Sequence, residues 1–343
     1  SASRATGSGS RPGSPLRTPP LLRFLASRAL QAVVVAVAVA TLAFLLIRIA
    51  PGNACGDVGD IHQSSASVQR CVRRLHLDRP LPVQYGEYVR ALLHGDLGES
   101  MATGEPVIDR IAVALPNTIL LVTLGLVAST TLGVAVAVRR FTASRDGHLL
   151  DALLLVAFAL PDFWVAEVLL LTFAFAWPLF PPHGASTFGA AYLAAGPRLV
   201  DRLRHLVLPV AAITIVSAAS VARFQYAALR EVGHEDWLRT ARAKGLGERA
   251  IVLRHALRAA LGPVIALIGV ALPAIVGGAV FVERIFGWPG MGTLILDAVS
   301  ARDGPVVVAC LTIGGVATAL GGLVADVLAA VADPRLRDPI VRS

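Results

Sequence analysis

Six largely apolar runs, at 29–50, 111–138, 152–175, 206–224, 259–282 and 304–330, decide what this chain can become. About 20 such residues, rising 1.5 Å each, carry a helix across the roughly 30 Å hydrocarbon layer of a bilayer. The rest of the composition agrees. A chain that is 55% hydrophobic and 16% charged, with mean hydropathy +0.68, is too apolar for an ordinary soluble domain. The expected fold is all-α, a polytopic membrane protein with six transmembrane helices. The fourth run is the shortest. The first run follows Arg23 and Arg28 as a secretory signal would, but its apolar core from Ala29 to Ile47 spans 19 residues. Signal cores span roughly 7 to 15, so the run reads as an uncleaved span. Residues 1–20, rich in Ser, Gly, Pro and Arg, read as a flexible tail ahead of a transmembrane domain at 21–343.

The basic residues set the orientation. A net charge of +8 raises nucleic acid as a partner, but a nucleic-acid binder needs a polar scaffold under its basic patch, and here the charges lie between apolar runs. Segments 1–28, 139–149, 223–258 and 331–343 hold 19 of the 31 Lys and Arg residues, whereas 51–107, 178–205 and 283–303 hold 10 over a greater length. Cytoplasmic loops carry the excess, which places both termini and the 223–258 segment in the cytosol and the long 51–107 loop outside.

That outer loop contains Cys55 and Cys71, while Cys310 lies in the sixth run. An extracytoplasmic compartment permits a Cys55–Cys71 disulfide, and two inert thiols are the other reading. Pro80 and Pro82 lead into a short amphipathic helix expected over 83–93. His62, His76, His94 and His183 stand at no metal-ligand spacing, so no metal site is expected. No GxxxxGK[ST] phosphate loop occurs, so ATP is not expected to bind this chain. Gly314, Gly315, Gly321 and Gly322 in the sixth run suit close helix packing.

The 223–258 segment is the most informative. "RTARAKGLGERAIVLRHALR", residues 239–258, carries seven basic side chains with His255 included, and it holds Lys244, the one lysine of the chain. The pattern predicts a helix from Trp237 to Lys244 capped by Asp236, a break at Gly245 and Gly247, and a second helix from Glu248 through Leu253 and Leu257 directly into the fifth run. The first helix is too short to hold its shape alone in water and needs a partner surface. Topology and anionic lipid account for its charge. They do not account for its order.

That order, "EVGHEDWLRTARAKGLGERAIVLRHALRAALGPVI", resembles the cytoplasmic EAA loop of ABC-importer permeases, in the version found in the dipeptide/oligopeptide branch. Arg239, Thr240 and Ala241 stand at the triplet and Gly245 at the motif glycine; His255 to Arg258 stand at the closing portion, whose proline is missing. The resemblance runs from about Leu22 to Pro339. "FLLIRIAPGN", "LDRPLPVQY", "LLHGDLGES", "LPNTILL", "ALPDFW", "VERIFGWPGMGTLILDAVSARDGPVV" and "DVLAAVADPRLRD" follow in the family's order.

The resemblance implies a type I importer permease without catalytic residues or a cofactor of its own. The implied partners are a second permease subunit, usually a paralogue, two ATPase subunits carrying ATP and Mg, an extracytoplasmic solute-binding protein and membrane lipid. The implied ATPase contact set is Trp237, Arg239, Thr240, Ala241, Lys244, Gly245 and Leu246, flanked by Glu231 and Asp236. Asp162 and Glu167 in the third run are intramembrane carboxylates, costly in lipid unless they face a cavity or a partner, and are candidate pathway-lining residues. Di- or oligopeptides are the expected solutes, with nickel, glutathione or another small solute as the alternative. A secondary transporter would show two comparable halves, and no such repeat is visible.

Overall fold

The computed structural model describes residues 20–49, 78–142, 147–271 and 279–332. Among these the chain is mostly helical. In order they form α1 (Pro20–Ile49), α2 (Leu81–Leu93), α3 (Val107–Thr142) and α4 (His148–Ala159). Then come α5 (Asp162–Leu170), prolonged by a π turn at Leu171–Ala176, and α6 (Ala195–Gly233). The basic segment forms α7 (Asp236–Ala243) and α8 (Glu248–Ala259). The remainder is α9 (Gly262–Ala271), α10 (Val280–Ile285), α11 (Met291–Ser300) and α12 (Gly304–Ala332).

Three of these helices, α3, α6 and the Gly304–Val324 part of α12, are long and apolar enough to cross a membrane, and five spans result if two bent pairs each count as one. The α1 helix runs for 30 residues, with its apolar stretch at Ala29–Leu45. The third run was expected as one continuous helix, and it is not. It breaks between α4 and α5 with a bend of 100°. The cause is Pro161, which lacks an N–H and pushes Leu160 to an extended ψ of 134°. The fifth run breaks as well. α8 and α9 meet at 55°, because Pro263 cannot donate to the carbonyl one turn earlier. The expected direct passage of the basic segment into its membrane helix is therefore a hinged one. The fourth run, short by hydropathy, sits inside a 39-residue helix whose polar ends extend beyond it.

Packing is organised around α3 and α6, which lie along one another, with α4 and α5 against α6 and α1 and α9 against α12. Small residues permit the close approach. A Cβ on Gly133 would overlap Val221 of α6, and one on Gly315 would overlap Val39 of α1. Of the other glycines expected to pack, Gly314 and Gly322 face open space. The most apolar windows of α3, α6 and α12 are 28%, 50% and 33% buried within the chain. Half or more of each window is left unburied by the chain itself.

Candidate functional site

The short helix α7 is held at one end of the α3–α6 pair. Leu238, fully buried, enters a cluster of Ala137, Leu229, Ile251, Val252, Ala256 and Ala260, and Ala241, three residues on, packs beside it. Two apolar residues on one face thus fasten an otherwise polar eight-residue helix to the ends of three longer ones. The opposite face is open. Trp237 and Leu246 are 42% and 44% exposed, and Glu231, Asp236, Arg239, Thr240, Lys244 and Gly245 are exposed around them. The expected contact residues are thus individually exposed, with the exception of Ala241, which is partly buried on the anchoring face. Leu238, next to Trp237 in sequence, points inward as the anchor.

The caps differ from expectation in detail. Glu235, with extended backbone, occupies the N-cap, and Asp236 is the first helical residue. There Asp236 still favours the helix through its charge at the N-terminus, and its carboxylate lies 3.6 Å from Arg239. Lys244 closes the helix as C-cap and Gly245 follows at φ +77°, the left-handed conformation that glycine adopts without a Cβ penalty. Gly247 then caps α8. The turn is braced by Arg242, whose Nε and Nη2 donate to the two Glu248 carboxylate oxygens at 3.1 and 2.8 Å. These hydrogen bonds from Arg242 hold the Glu248 carboxyl below the usual carboxylate range. The brace is intact at neutral pH and opens only as acid protonates Glu248.

Two buried polar nodes lie elsewhere in the fold, and neither was recognised from the sequence as a node. In the first, Glu283 is fully buried. Its carboxylate accepts from Thr118 Oγ1 at 2.8 Å and from the Gly292 and Thr293 amides at 2.7 and 3.2 Å. Thr118 Oγ1 accepts in turn from the Met291 amide at 2.7 Å. The carboxylate and hydroxyl together satisfy the orphan amides at the start of α11. Beside them Trp288, also fully buried, donates its indole N–H to the Asn117 carbonyl, and Asn117 Nδ2 donates to the Pro289 carbonyl, each at 3.0 Å. In the second node Ser100 donates to the buried Asp303 carboxylate. The Met101 amide donates at 3.0 Å, and Arg110 lies 3.5 Å away.

These nodes join stretches that the sequence presents as separate motifs. "LPNTILL" meets "VERIFGWPGMG" through Thr118 and Glu283, and "GDLGES" meets "SARDGP" through Ser100 and Asp303. The signal available in the sequence was the polar residue inside each motif; the pairing is long-range and has no periodic signature.

Asp162 and Glu167 are both exposed on α5. Asp162 is the first residue after the break, where its carboxylate accepts from the Phe163 amide at 2.8 Å. It begins a helix instead of lying midway along one. Cys55 and Cys71 lie outside the described residues. Cys310 is buried in α12 as a free thiol, and no cluster of metal-ligating side chains occurs among the described residues.

Comparison with known proteins agrees with this architecture. Residues 129–338 match the family described as binding-protein-dependent transport system inner membrane component, and residues 21–122 match the N-terminal domain of the same system's membrane component. The oligopeptide transport system permease protein AppB of Bacillus subtilis is 32% identical over 318 residues, covering 91% of this chain and 98% of that protein. The di/tripeptide transport system permease protein DppB of Pseudomonas aeruginosa is 32% identical over 335 residues, covering 92% and 99%. The oligopeptide permease OppB of Mycobacterium tuberculosis is 36% identical over 272 residues, covering 77% and 82%. Matched by the family models and by relatives across most of its length, the chain belongs to the inner membrane components of binding-protein-dependent transport systems.

Proposed function

We propose that this chain is a membrane-spanning permease subunit of an ATP-driven importer for di- or oligopeptides, with α7 as the element that engages an ATPase subunit. The observation that carries the reading is the two-faced anchoring of α7: Leu238 fixes it to three long helices, while Trp237, Thr240, Lys244 and Leu246 are left on an open surface. A displacement imposed on that surface passes to α3, α6 and α8 through packed side chains. Nucleotide can then bias inward-open against outward-open states, because the ATPase contacts differ between them. In this reading the chain has six spans, α1 among them, with both termini cytosolic. A second permease subunit completes the pathway, two ATPase subunits bind ATP and Mg, and an external binding protein supplies the solute. Peptide is favoured over nickel or glutathione because the matched relatives named above are peptide permeases.

The test is reconstitution with the neighbouring subunits, reading peptide uptake and solute-stimulated ATP hydrolysis together. Gly245→Pro forces φ to about −65° where the turn needs +77°, and should uncouple hydrolysis from uptake. Arg239→Glu changes charge on the same surface while keeping the turn, and should have a milder effect. Transport equal to wild type in both variants removes α7 from the mechanism, and purification of the native complex without any ATPase subunit removes the importer reading.

A further inference from the structure

Arg139 and Arg140 are neighbours in sequence at the end of α3, yet they meet different surroundings. Arg140 is satisfied: its Nε and Nη2 donate to Asp151 at 3.1 and 3.0 Å, and its guanidinium lies 5.2 Å from the Tyr226 ring centroid. Arg139 instead lines a groove of about 620 Å³ between α3 and α8, together with Arg249, the second residue of α8. The rest of the lining includes Val134, Val138, Leu253 and Leu257, with Thr130 at the far end, and no carboxylate lines the groove among the described residues. Leu253 is 58% exposed within it. Two like charges therefore line one groove that holds no described carboxylate.

The groove also has a gradient. Thr130 lies nine residues before Arg139 on the same helix, about 13 Å deeper at 1.5 Å per residue, close to half the thickness of a hydrocarbon layer. Its two cationic side chains belong to the basic end of the molecule and its aliphatic wall runs inward from them. A peptide solute carries an ammonium as well as a carboxylate, and no carboxylate lines the groove among the described residues to receive it; the lining calls for a ligand anionic at one end and apolar along the remainder. A phospholipid has that distribution by construction.

We propose that the α3–α8 groove is a binding site for an anionic phospholipid, whose phosphate lies between Arg139 and Arg249 and whose acyl chain lies along Val134, Val138, Leu253 and Leu257. Basic pockets between membrane helices on the cytoplasmic side recognise anionic headgroups by this chemistry. Because α8 also forms one side of the α7 docking cluster, the lipid sits against the hinged arm through which α7 would act. The proposal rests on the cytosolic placement of this end in the preceding reading.

The test is native mass spectrometry of the complete transporter, purified from membranes and equilibrated with phosphatidylglycerol or phosphatidylcholine. Wild type should retain phosphatidylglycerol in preference. The double variant Arg139→Gln/Arg249→Gln should lose that preference by on the order of tenfold or more. Leu253→Trp keeps both charges and fills the wall, and should also displace the lipid, whereas Arg223→Gln, outside the groove, should not. Equal retention of the two lipids by wild type, or unchanged retention in both groove variants, overturns the site. A photoreactive group at Leu253 that captures a second permease subunit in place of lipid overturns it as well. Lipid retention is compared between variants of this chain in whatever assembly is purified, so absence of ATPase subunits from that assembly defeats the importer reading alone.

Discussion

Glu283 shows how a single carboxylate organises several parts of the fold. Three donors converge on it from α3 and from the start of α11. Removing the acceptor would leave buried donors unpaired at about 1 to 3 kcal/mol each. Glu283→Gln retains an acceptor oxygen but offers an amide to donors that need none, and should lower the unfolding temperature of the purified subunit; Glu283→Leu should lower it further. The neighbouring glycines are constrained by the same group. A Cβ on Gly290 would overlap both the Glu283 carboxylate and Thr118, so Gly290→Ala should destabilise by about 1 to 3 kcal/mol. Gly86→Ala, inside α2 with nothing within 4 Å of the added carbon, should instead stabilise by about 0.5 to 1 kcal/mol in the same thermal measurement. The sequence displayed Glu283 and Gly290 inside one motif. Their common partner Thr118 lies 165 residues from Glu283, and such a pairing leaves no trace in hydrophobic periodicity.

At the scale of the element, α7 separates two roles that one short helix usually blends. Leu238 supplies attachment and Trp237 supplies surface. Truncating a fully buried leucine costs about 2 to 5 kcal/mol, more than an eight-residue helix can supply from its own propensity. Leu238→Ala should therefore free the helix, seen as faster hydrogen exchange across 236–243 and loss of ATPase subunits on purification. Trp237→Ala should leave exchange unchanged while weakening ATPase association. If both variants behave alike, the division between the two faces is wrong. The existence of α7, its glycine stop and the start of α8 at Glu248 were readable, because caps and glycines act locally. The inward rotation of Leu238 was not, since it depends on the ends of α3 and α6. The same distinction explains the third and fifth runs: hydropathy measures length, and the breaks at Pro161 and Pro263 needed local backbone chemistry to be weighed against it.

For the whole molecule, the distribution of Lys and Arg in the sequence predicts a cytosolic end, and α7 and the Arg139–Arg249 groove both lie against α8. Orientation is directly checkable. In a cysteine-free background, Ser186→Cys should react with an impermeant thiol reagent in intact cells, and Ala243→Cys only after permeabilisation. The reverse pattern would invert the topology and separate α7 from any cytosolic partner. Of the six apolar runs, three form helices long enough to cross a membrane, and five do if each bent pair counts as one; these were legible because apolar length survives any packing arrangement. Which faces of those spans meet each other was not legible, since helices this uniformly apolar carry little face preference of their own.

The bend between α4 and α5 also bears on how the chain is made. α4 has 12 residues, and α5 has nine followed by a six-residue π turn, whereas a helix needs about 20 to span a bilayer. Neither half would be recognised alone as it leaves the ribosome. Both halves pack on α6, which follows them in the sequence, so the surface that holds the bend is complete only after both have been made.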